Sequence, residues 1–279
     1  MSGSSSLPLP SLLDHHLEKP YRFCLVGYGF SQECQVPHFR DIQKGVWSGS
    51  PNRIDPFRSA DHARLVRDWF EWRKSLIRAR RDAPPYHALA RLQSVLGLRV
   101  ATQCVDGLAG SNGVAEVVEL YGNVFAVRCH RCGHGWPADM EAQHPEACSL
   151  CGGGLWPDVA MFGWNSRDRI ANHWIDCPPT RTLVLQIGDE PDLATYPALS
   201  AAALKELTFI RLSADDLVMT RHDARGSLPM KAIEAEMANQ PWPAELPRLP
   251  EQKCLYRSVL CLLWLFERFK ATGSVAIPE

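Results

Sequence analysis

The feature that most constrains this chain is a pair of cysteine knuckles. Cys129-x2-Cys132 is followed, after fifteen further residues, by Cys148-x2-Cys151. Each Cys-x2-Cys fits a tight turn that points two thiolates at one spot, and two such turns supply the tetrahedral sulfur set that zinc prefers. Gly133 and Gly152 follow the two knuckles, where the backbone has to turn sharply. Four thiolates leave no coordination position for water, so the spacing predicts a structural Zn2+ site with Cys129, Cys132, Cys148 and Cys151 as ligands. His130 and His134 read as surface residues of this ribbon. Cys24, Cys34, Cys104, Cys177, Cys254 and Cys261 read as small apolar fillers.

A chain of 279 residues suits one large domain carrying a smaller module, or two modest domains. Its net charge of -1 gives no basic face of the kind nucleic-acid binders carry. The opening MSGSSSLPLP lacks the charged start and apolar core of a secretory leader. No stretch approaches the roughly 18 apolar residues of a spanning helix. These features predict a cytoplasmic protein, with no nucleic-acid or membrane partner and with thiols that are free or bound to metal.

Hydrophobic periodicity organises the rest. Phe23–Val26 is an apolar run ending in Gly27-Tyr28-Gly29, a strand feeding a glycine turn. Residues 57–81 read as a helix with Leu65, Trp69, Trp72 and Leu76 on its apolar stripe, stopped by Pro84-Pro85. A helix over 87–96, a strand over 98–102, and apolar runs over 114–120 and 124–127 follow. Thr182–Ile187 and Thr208–Leu212 read as strands, 199–207 and 228–237 as helices, 241–250 as a proline-rich connector, and 252–270 as a strongly apolar helix. Strands alternating with helices predict an α/β fold with a parallel sheet.

Around the cysteines the chain resembles the sirtuin family. Glu119-Leu120-Tyr121-Gly122 stands where that family has Glu-Leu-His-Gly, and Pro157-Asp158-Val159-Ala160-Met161-Phe162-Gly163 stands for its Pro-Asp-Val to Phe-Gly stretch. Upstream, Gly27-Tyr28-Gly29-Phe30-Ser31 is similar to Gly-Ala-Gly-Ile-Ser, and Val36-Pro37-His38-Phe39-Arg40 to Ile-Pro-Asp-Phe-Arg. Thr102-Gln103-Cys104-Val105-Asp106-Gly107 is similar to Thr-Gln-Asn-Ile-Asp-Gly, and Pro85-Tyr86-His87-Ala88-Leu89-Ala90 resembles the family's proline-led helix start. The matches run in order over about residues 23–240.

The resemblance implies a Rossmann-like parallel-sheet NAD domain with a smaller zinc-ribbon and helical module. It divides the chain into a flexible arm (1–20), a discontinuous NAD domain (21–40, 85–127, 165–245), a helical module (41–84), the ribbon (128–164), and a C-terminal connector and helix (246–279). NAD would be held by Gly27, Gly29, Ser31, Phe39, Arg40, Gln103, Asp106 and Gly188. Val159, Met161, Phe162 and Gly163 would pair with an acyl-lysine protein or peptide. Tyr121, Gln103 and Asp106 would line the chemistry. The implied activity is cleavage of the nicotinamide–ribose bond, with ADP-ribosyl transfer to an acyl-lysine or another acceptor.

The departures fall on that chemistry. The family's histidine base is Tyr121, and a phenol with a reference pKa of about 10 is a poor base near neutrality. The family's asparagine is Cys104, and Asp189-Glu190 after Gly188 would repel phosphate. A catalytically impaired module that binds nucleotide or acyl-lysine peptide is therefore the alternative, and a scaffold built on the 252–270 helix is a third reading. Some members that remove acidic acyl groups carry Tyr-x-x-Arg; here the pair is Phe70 and Arg73. Arg73 could hold a carboxylate, but an exposed helical arginine is the reading preferred.

Overall fold

The computed structural model describes residues 21–37, 59–143, 145–160, 182–188, 208–221, 224–238, 240 and 242–272. Ten strands are described: β1 (Tyr21–Val26), β2 (Arg99–Thr102), β3 (Val118–Glu119), β4 (Gly122–Cys129), β5 (Gly135–Trp136), β6 (Leu155–Val159), β7 (Thr182–Ile187), β8 (Thr208–Leu212), β9 (Asp216–Arg221) and β10 (Ala224–Pro229). The described helices are α1 (Gly29–Glu33), α2 (Ala60–Arg78), α3 (Pro84–Leu96), α4 (Leu108–Ser111), α5 (Met230–Ala238) and α6 (Leu255–Thr272).

Seven strands form one sheet in the order β10-β9-β8-β7-β1-β2-β3. β1 pairs in parallel with both β2 and β7, with Val26 opposite Thr102 and Ile187. β7 also pairs in parallel with β8. The central strands are mostly apolar, with Phe23–Val26 and Leu183–Leu185 buried throughout, because both faces are covered. Along β1, Phe23 and Leu25 pack with Ala101, Leu120 and Val184 on one face. Cys24 and Val26 point the other way, into the main core beneath the helices. β4, β5 and β6 form a separate antiparallel sheet in the order β5-β4-β6.

Helix α6 is not a free surface. Val259 to Phe266 are all buried, in the same core as Leu89 and Leu92 of α3. Arg91 of α3 pairs with Glu267 at 3.1 Å, and Arg257 pairs with Glu234 of α5 at 2.6 Å. At its N-terminus the Leu255 N–H donates to Glu33 Oε1 at 3.1 Å, where an acid complements the helix dipole.

Several sequence expectations need correction. The apolar stripe of α2 is turned by about one residue: Val66, Trp69, Phe70, Arg73, Lys74 and Ile77 are buried, whereas Leu65 is 38% and Trp72 45% exposed. Both stripes carry apolar residues, so periodicity alone could not rank them. The inward face is chosen by Ile77 and by Arg73, whose buried head has a partner. Pro84-Pro85 does not end α2, which stops at Arg78; the two prolines open α3 at its first positions, where the missing N–H costs nothing. Gly97, at φ 60°, closes α3 in the left-handed region. Of the 114–120 run only Val118–Glu119 is strand. The 228–237 segment is the end of β10 followed by α5, and the β9–β10 hairpin that extends the sheet was not anticipated. The arm over 1–20 and the 199–207 helix lie outside the described residues.

The corrected face of α2 makes a clear prediction. Ile77→Ala should lower unfolding free energy by about 2–5 kcal/mol through lost burial and a cavity. Leu65→Ala should stay within about 0.5 kcal/mol. Denaturant unfolding of the two variants checks the order, and a larger loss for Leu65→Ala would restore the other stripe.

Candidate functional site

Three parallel strands end side by side, and the candidate residues leave from those ends. After Val26, Thr102 and Ile187 come Gly27, Gln103 and Gly188. The ladder continues one step past each strand: the Gly27 N–H donates to Ile187 O at 2.9 Å, and the Gln103 N–H donates to Val26 O at 2.9 Å. From β1 the chain moves toward β2 and β3, and from β7 toward β8 in the opposite direction. The strand order therefore reverses between β1 and β7, and the crevice outside such a reversal is where open α/β sheets bind ligands. Gly27 and Gly29 are buried in the turn that begins α1, and their lack of a Cβ suits close approach of a phosphate-bearing ligand.

Beneath that crevice lies a buried polar cluster centred on Asp106, which is 1% exposed. Ser31 Oγ donates to Asp106 Oδ2 at 2.6 Å, and the Tyr86 hydroxyl donates to the same oxygen at 3.1 Å. The Leu108 N–H donates to Oδ1 at 2.9 Å. The Tyr86 hydroxyl also lies 3.4 Å from Oδ1, so both oxygens are held by internal donors. Burial pushes the Asp106 carboxyl above its ordinary range, while the donors from Ser31, Leu108 and Tyr86 and the charge of Arg73 pull it back. Burial, then the neighbouring Asp106, pushes the Tyr86 hydroxyl well above its ordinary value. Gly107 follows at φ 71°, and a Cβ there would lie 2.8 Å from Asn123 Nδ2, so the Asp-Gly turn admits only glycine beside β4.

Cys104 is buried but is more than an apolar filler. Its Sγ donates to Gly27 O at 3.3 Å, tying the end of β2 to the glycine turn. Burial, with the charge of Asp106 beside it, raises the thiol's pKa, which argues against a resting thiolate nucleophile. Arg73 is also corrected. It is 5% exposed, not a solvated helical arginine, and its Nη1 donates to Pro37 O at 2.6 Å. Tyr86 was missed at the sequence level, although a buried tyrosine needs a partner for its hydroxyl. That requirement, next to Pro84-Pro85, was the only signal available.

Tyr121 is half-buried at the join between the two sheets, and its carbonyl accepts from the Ala160 N–H at 2.7 Å. Val159, at the end of β6, pairs with Gly122. Phe39, Arg40, Met161, Phe162, Gly163, Asp189 and Glu190 lie outside the described residues.

The four knuckle cysteines converge as their spacing requires. Their sulfurs all lie within 4.8 Å of one another, with Cys129 to Cys151 at 3.5 Å and Cys132 to Cys148 at 3.8 Å. A tetrahedral zinc with Zn–S near 2.3 Å sets sulfurs about 3.8 Å apart, so the donor set fits the ion. The Leu150 and Gly153 N–H groups each donate to a sulfur at 3.4 Å, which stabilises thiolate. A Cβ on Gly153 would sit 2.8 Å from the Cys129 sulfur, so only glycine fits there. His130 and His134 are exposed, and His134 meets Trp136 edge-on at 4.5 Å between ring centres.

Comparison with known proteins places this geometry. The profile of the Sir2 family matches residues 27–190. NAD-dependent protein deacylase 2 of Pyrobaculum aerophilum is 38% identical over 148 residues, covering 51% of this chain and 59% of the relative. The NAD-dependent protein deacylase of Aeropyrum pernix is likewise 38% identical and is covered over 60% of its length. These two matches therefore span about six tenths of each relative. The NAD-dependent protein deacylase of Mycolicibacterium paratuberculosis is 30% identical over 242 residues, 81% of this chain and 96% of the relative. Among solved structures, a Sir2 homolog in complex with NAD superposes with a TM-score of 0.57 at 24% identity, covering 77% of this chain and 86% of that one. A Sir2 homologue mutant in complex with ADP-ribose gives 0.55 at 26% identity, over 74% and 85%.

Replacing one ligand tests the metal assignment. Cys148→Ser should lower bound zinc from one equivalent and reduce thermal stability, because structural zinc binding is itself folding free energy. Elemental analysis and melting check this, and a metal-free protein as stable as the parent would refute it. Strand order, cysteine ribbon, family profile and a relative covered almost end to end agree, and the chain belongs to the Sir2 family.

Proposed function

We propose that this protein is an NAD-dependent enzyme that cleaves the nicotinamide–ribose bond and transfers the ADP-ribosyl unit to an acyl-lysine or another acceptor. The observation that carries the reading is Asp106, a buried carboxylate oriented by Ser31, Tyr86 and the Leu108 N–H, beneath the crevice where the strand order reverses. A carboxylate fixed there suits the amide of nicotinamide. Gln103 leaves the neighbouring strand end, and Ser31 holds Asp106 from below. Gly27, Gly29 and Gly188 would admit the phosphates, with Phe39 and Arg40 completing the nicotinamide and phosphate contacts.

In the cleavage step the C1′–N bond breaks and nicotinamide leaves with the electron pair. An acyl-lysine carbonyl oxygen, or another acceptor oxygen, forms the new bond to C1′. This step needs positioning and support of positive charge on the ribose, not a base. Tyr121 can offer a hydrogen bond where relatives have histidine, so acyl transfer beyond the first step is where this chain would differ. Val159, Met161, Phe162 and Gly163 would pair with the peptide backbone by strand addition. Helical (41–84) and ribbon (128–164) modules would flank the NAD domain. The described cysteines form no disulfide, which supports a cytoplasmic setting, and no helix among the described residues is long and apolar enough to cross a membrane.

The replacement at Tyr121 favours one second reading, a module that binds nucleotide or acyl-lysine peptide without turnover. Nicotinamide release from NAD, with and without a panel of acyl-lysine peptides, decides between them. Peptide-dependent release marks deacylase-type transfer, and peptide-independent release marks glycohydrolase or ADP-ribosyl transfer. Asp106→Ala should reduce either by about 100-fold, while Tyr121→Phe should leave the release step within about tenfold. A folded, zinc-bound protein that releases no nicotinamide under any condition would leave the binding module.

A further inference from the structure

Two turns of the site meet at one side chain that the proposed chemistry does not use. Asn123, the second residue of β4, is 5% exposed. Its Nδ2 donates to Glu119 Oε1 at 2.6 Å, and its Oδ1 accepts from the Phe125 N–H at 2.9 Å. These partners fix which way the amide points, because a carboxylate only accepts and an N–H only donates.

Glu119 ends β3 and Asn123 lies just inside β4, so their bond closes a short loop over Leu120, Tyr121 and Gly122. Gly122, at φ 83°, supplies the left-handed residue that turns the chain there. Backbone bonds tie the loop on three sides. The Leu120 N–H donates to Thr102 O at 2.9 Å, the Ala160 N–H to Tyr121 O at 2.7 Å, and the Val124 N–H to Val105 O at 2.9 Å. On its other side Asn123 lies against Gly107, where a Cβ would come 2.8 Å from Nδ2. Val105 and Gly107 flank Asp106 in sequence. Asn123 therefore touches the Asp106 turn while it closes the Tyr121 turn.

We propose that Asn123, held by Glu119, is a positioning residue that sets the Tyr121 turn against the Asp106 turn. Its effect on turnover rests on the NAD reading above. A buried amide bonded at both ends resists rotation, and a charge-assisted bond of this length is among the stronger ones a side chain makes. The pair also forms part of the wall of a cleft of about 910 Å3, together with Gly107, Phe125 and Met140. Truncating Glu119, which is only half-buried, widens that open space rather than hollowing the core.

The test uses 3-fluorotyrosine in the zinc-loaded full chain. The chain has six tyrosines, and single Tyr→Phe substitutions assign the fluorine signals. Tyr121 reports its own turn, Tyr86 reports Asp106 through its hydroxyl bond at 3.1 Å, and Tyr256 on α6 is the control. Glu119→Ala and Asn123→Ala should each shift the Tyr121 and Tyr86 signals and leave Tyr256 in place. Glu119→Ala carries the test alone if the buried Asn123 does not tolerate truncation. Asn123→Asp sets two carboxylates face to face and should shift the same two signals. Glu119→Gln/Asn123→Asp exchanges donor and acceptor, and its second aspartate oxygen still accepts from Phe125, so both signals should return toward the parent. The kcat for nicotinamide release should fall about tenfold in the single variants and recover in the exchange variant, with KM for NAD little changed. Signals that stay put in Glu119→Ala, that move for Tyr256 as well, or that the exchange does not restore would overturn the proposal. The fluorine readout needs no turnover: a parent that releases no nicotinamide would defeat the NAD reading, and the signals would still decide the role of Asn123.

Discussion

A buried carboxylate without enough partners is one of the least tolerable things a fold can contain, and Asp106 is buried almost completely. Its donors come from α1, α3 and the backbone of α4, with a balancing charge from α2. Segments remote in sequence, carrying Ser31 and Tyr86, must therefore arrive at the Asp106 turn before this residue can be accommodated. The glycine turn, the end of β2 and the first turn after α1 are fixed by that requirement as much as by apolar packing. The site is rigid at its base for the same reason: both Asp106 oxygens are engaged by internal donors.

The ribbon answers to a different constraint. Beyond the cysteine ligands, its own cluster has only Leu155 buried, with Trp136 packed against it. That is too little apolar surface for a sheet of this kind to stand alone, so the metal takes the place of a core. The ribbon is also tied to the parallel sheet by backbone and side chain. Asn123 of β4 donates to Glu119 of β3 at 2.6 Å, close against Gly107. The Asp106 turn and the ribbon thereby share a boundary, and Tyr121 sits at it.

Helix α6 shows how an apolar sequence can mislead about purpose. Its composition suits a partner-binding helix, yet its apolar side lies in the core with α3 and its first turn is capped by Glu33 of α1. The helix that caps the domain thus reaches the element that also supplies Ser31 to the site. Core packing and site geometry meet in this short α1 segment, which is too brief to be stable by helix formation alone.

The sequence alone determined the zinc ligands, because four cysteines in two knuckles have one economical arrangement. It also determined the parallel strands β1, β7 and β8, whose mostly apolar segments suit a sheet covered on both faces. It placed Ser31, Gln103 and Asp106 near one another through ordered family resemblance. Tertiary structure decided which stripe of α2 faces inward, because Leu65, Trp72 and Leu76 match helical spacing as well as Val66, Phe70 and Ile77 do. It decided that Pro84-Pro85 begins a helix, since proline is as acceptable at a first turn as after a last one. It extended the sheet by the β9–β10 hairpin, and it turned Arg73, Tyr86 and Cys104 from surface or filler residues into partners of the site. The physical reason is common to all of these: burial of a polar group depends on a partner remote in sequence, and no local pattern records where that partner will be.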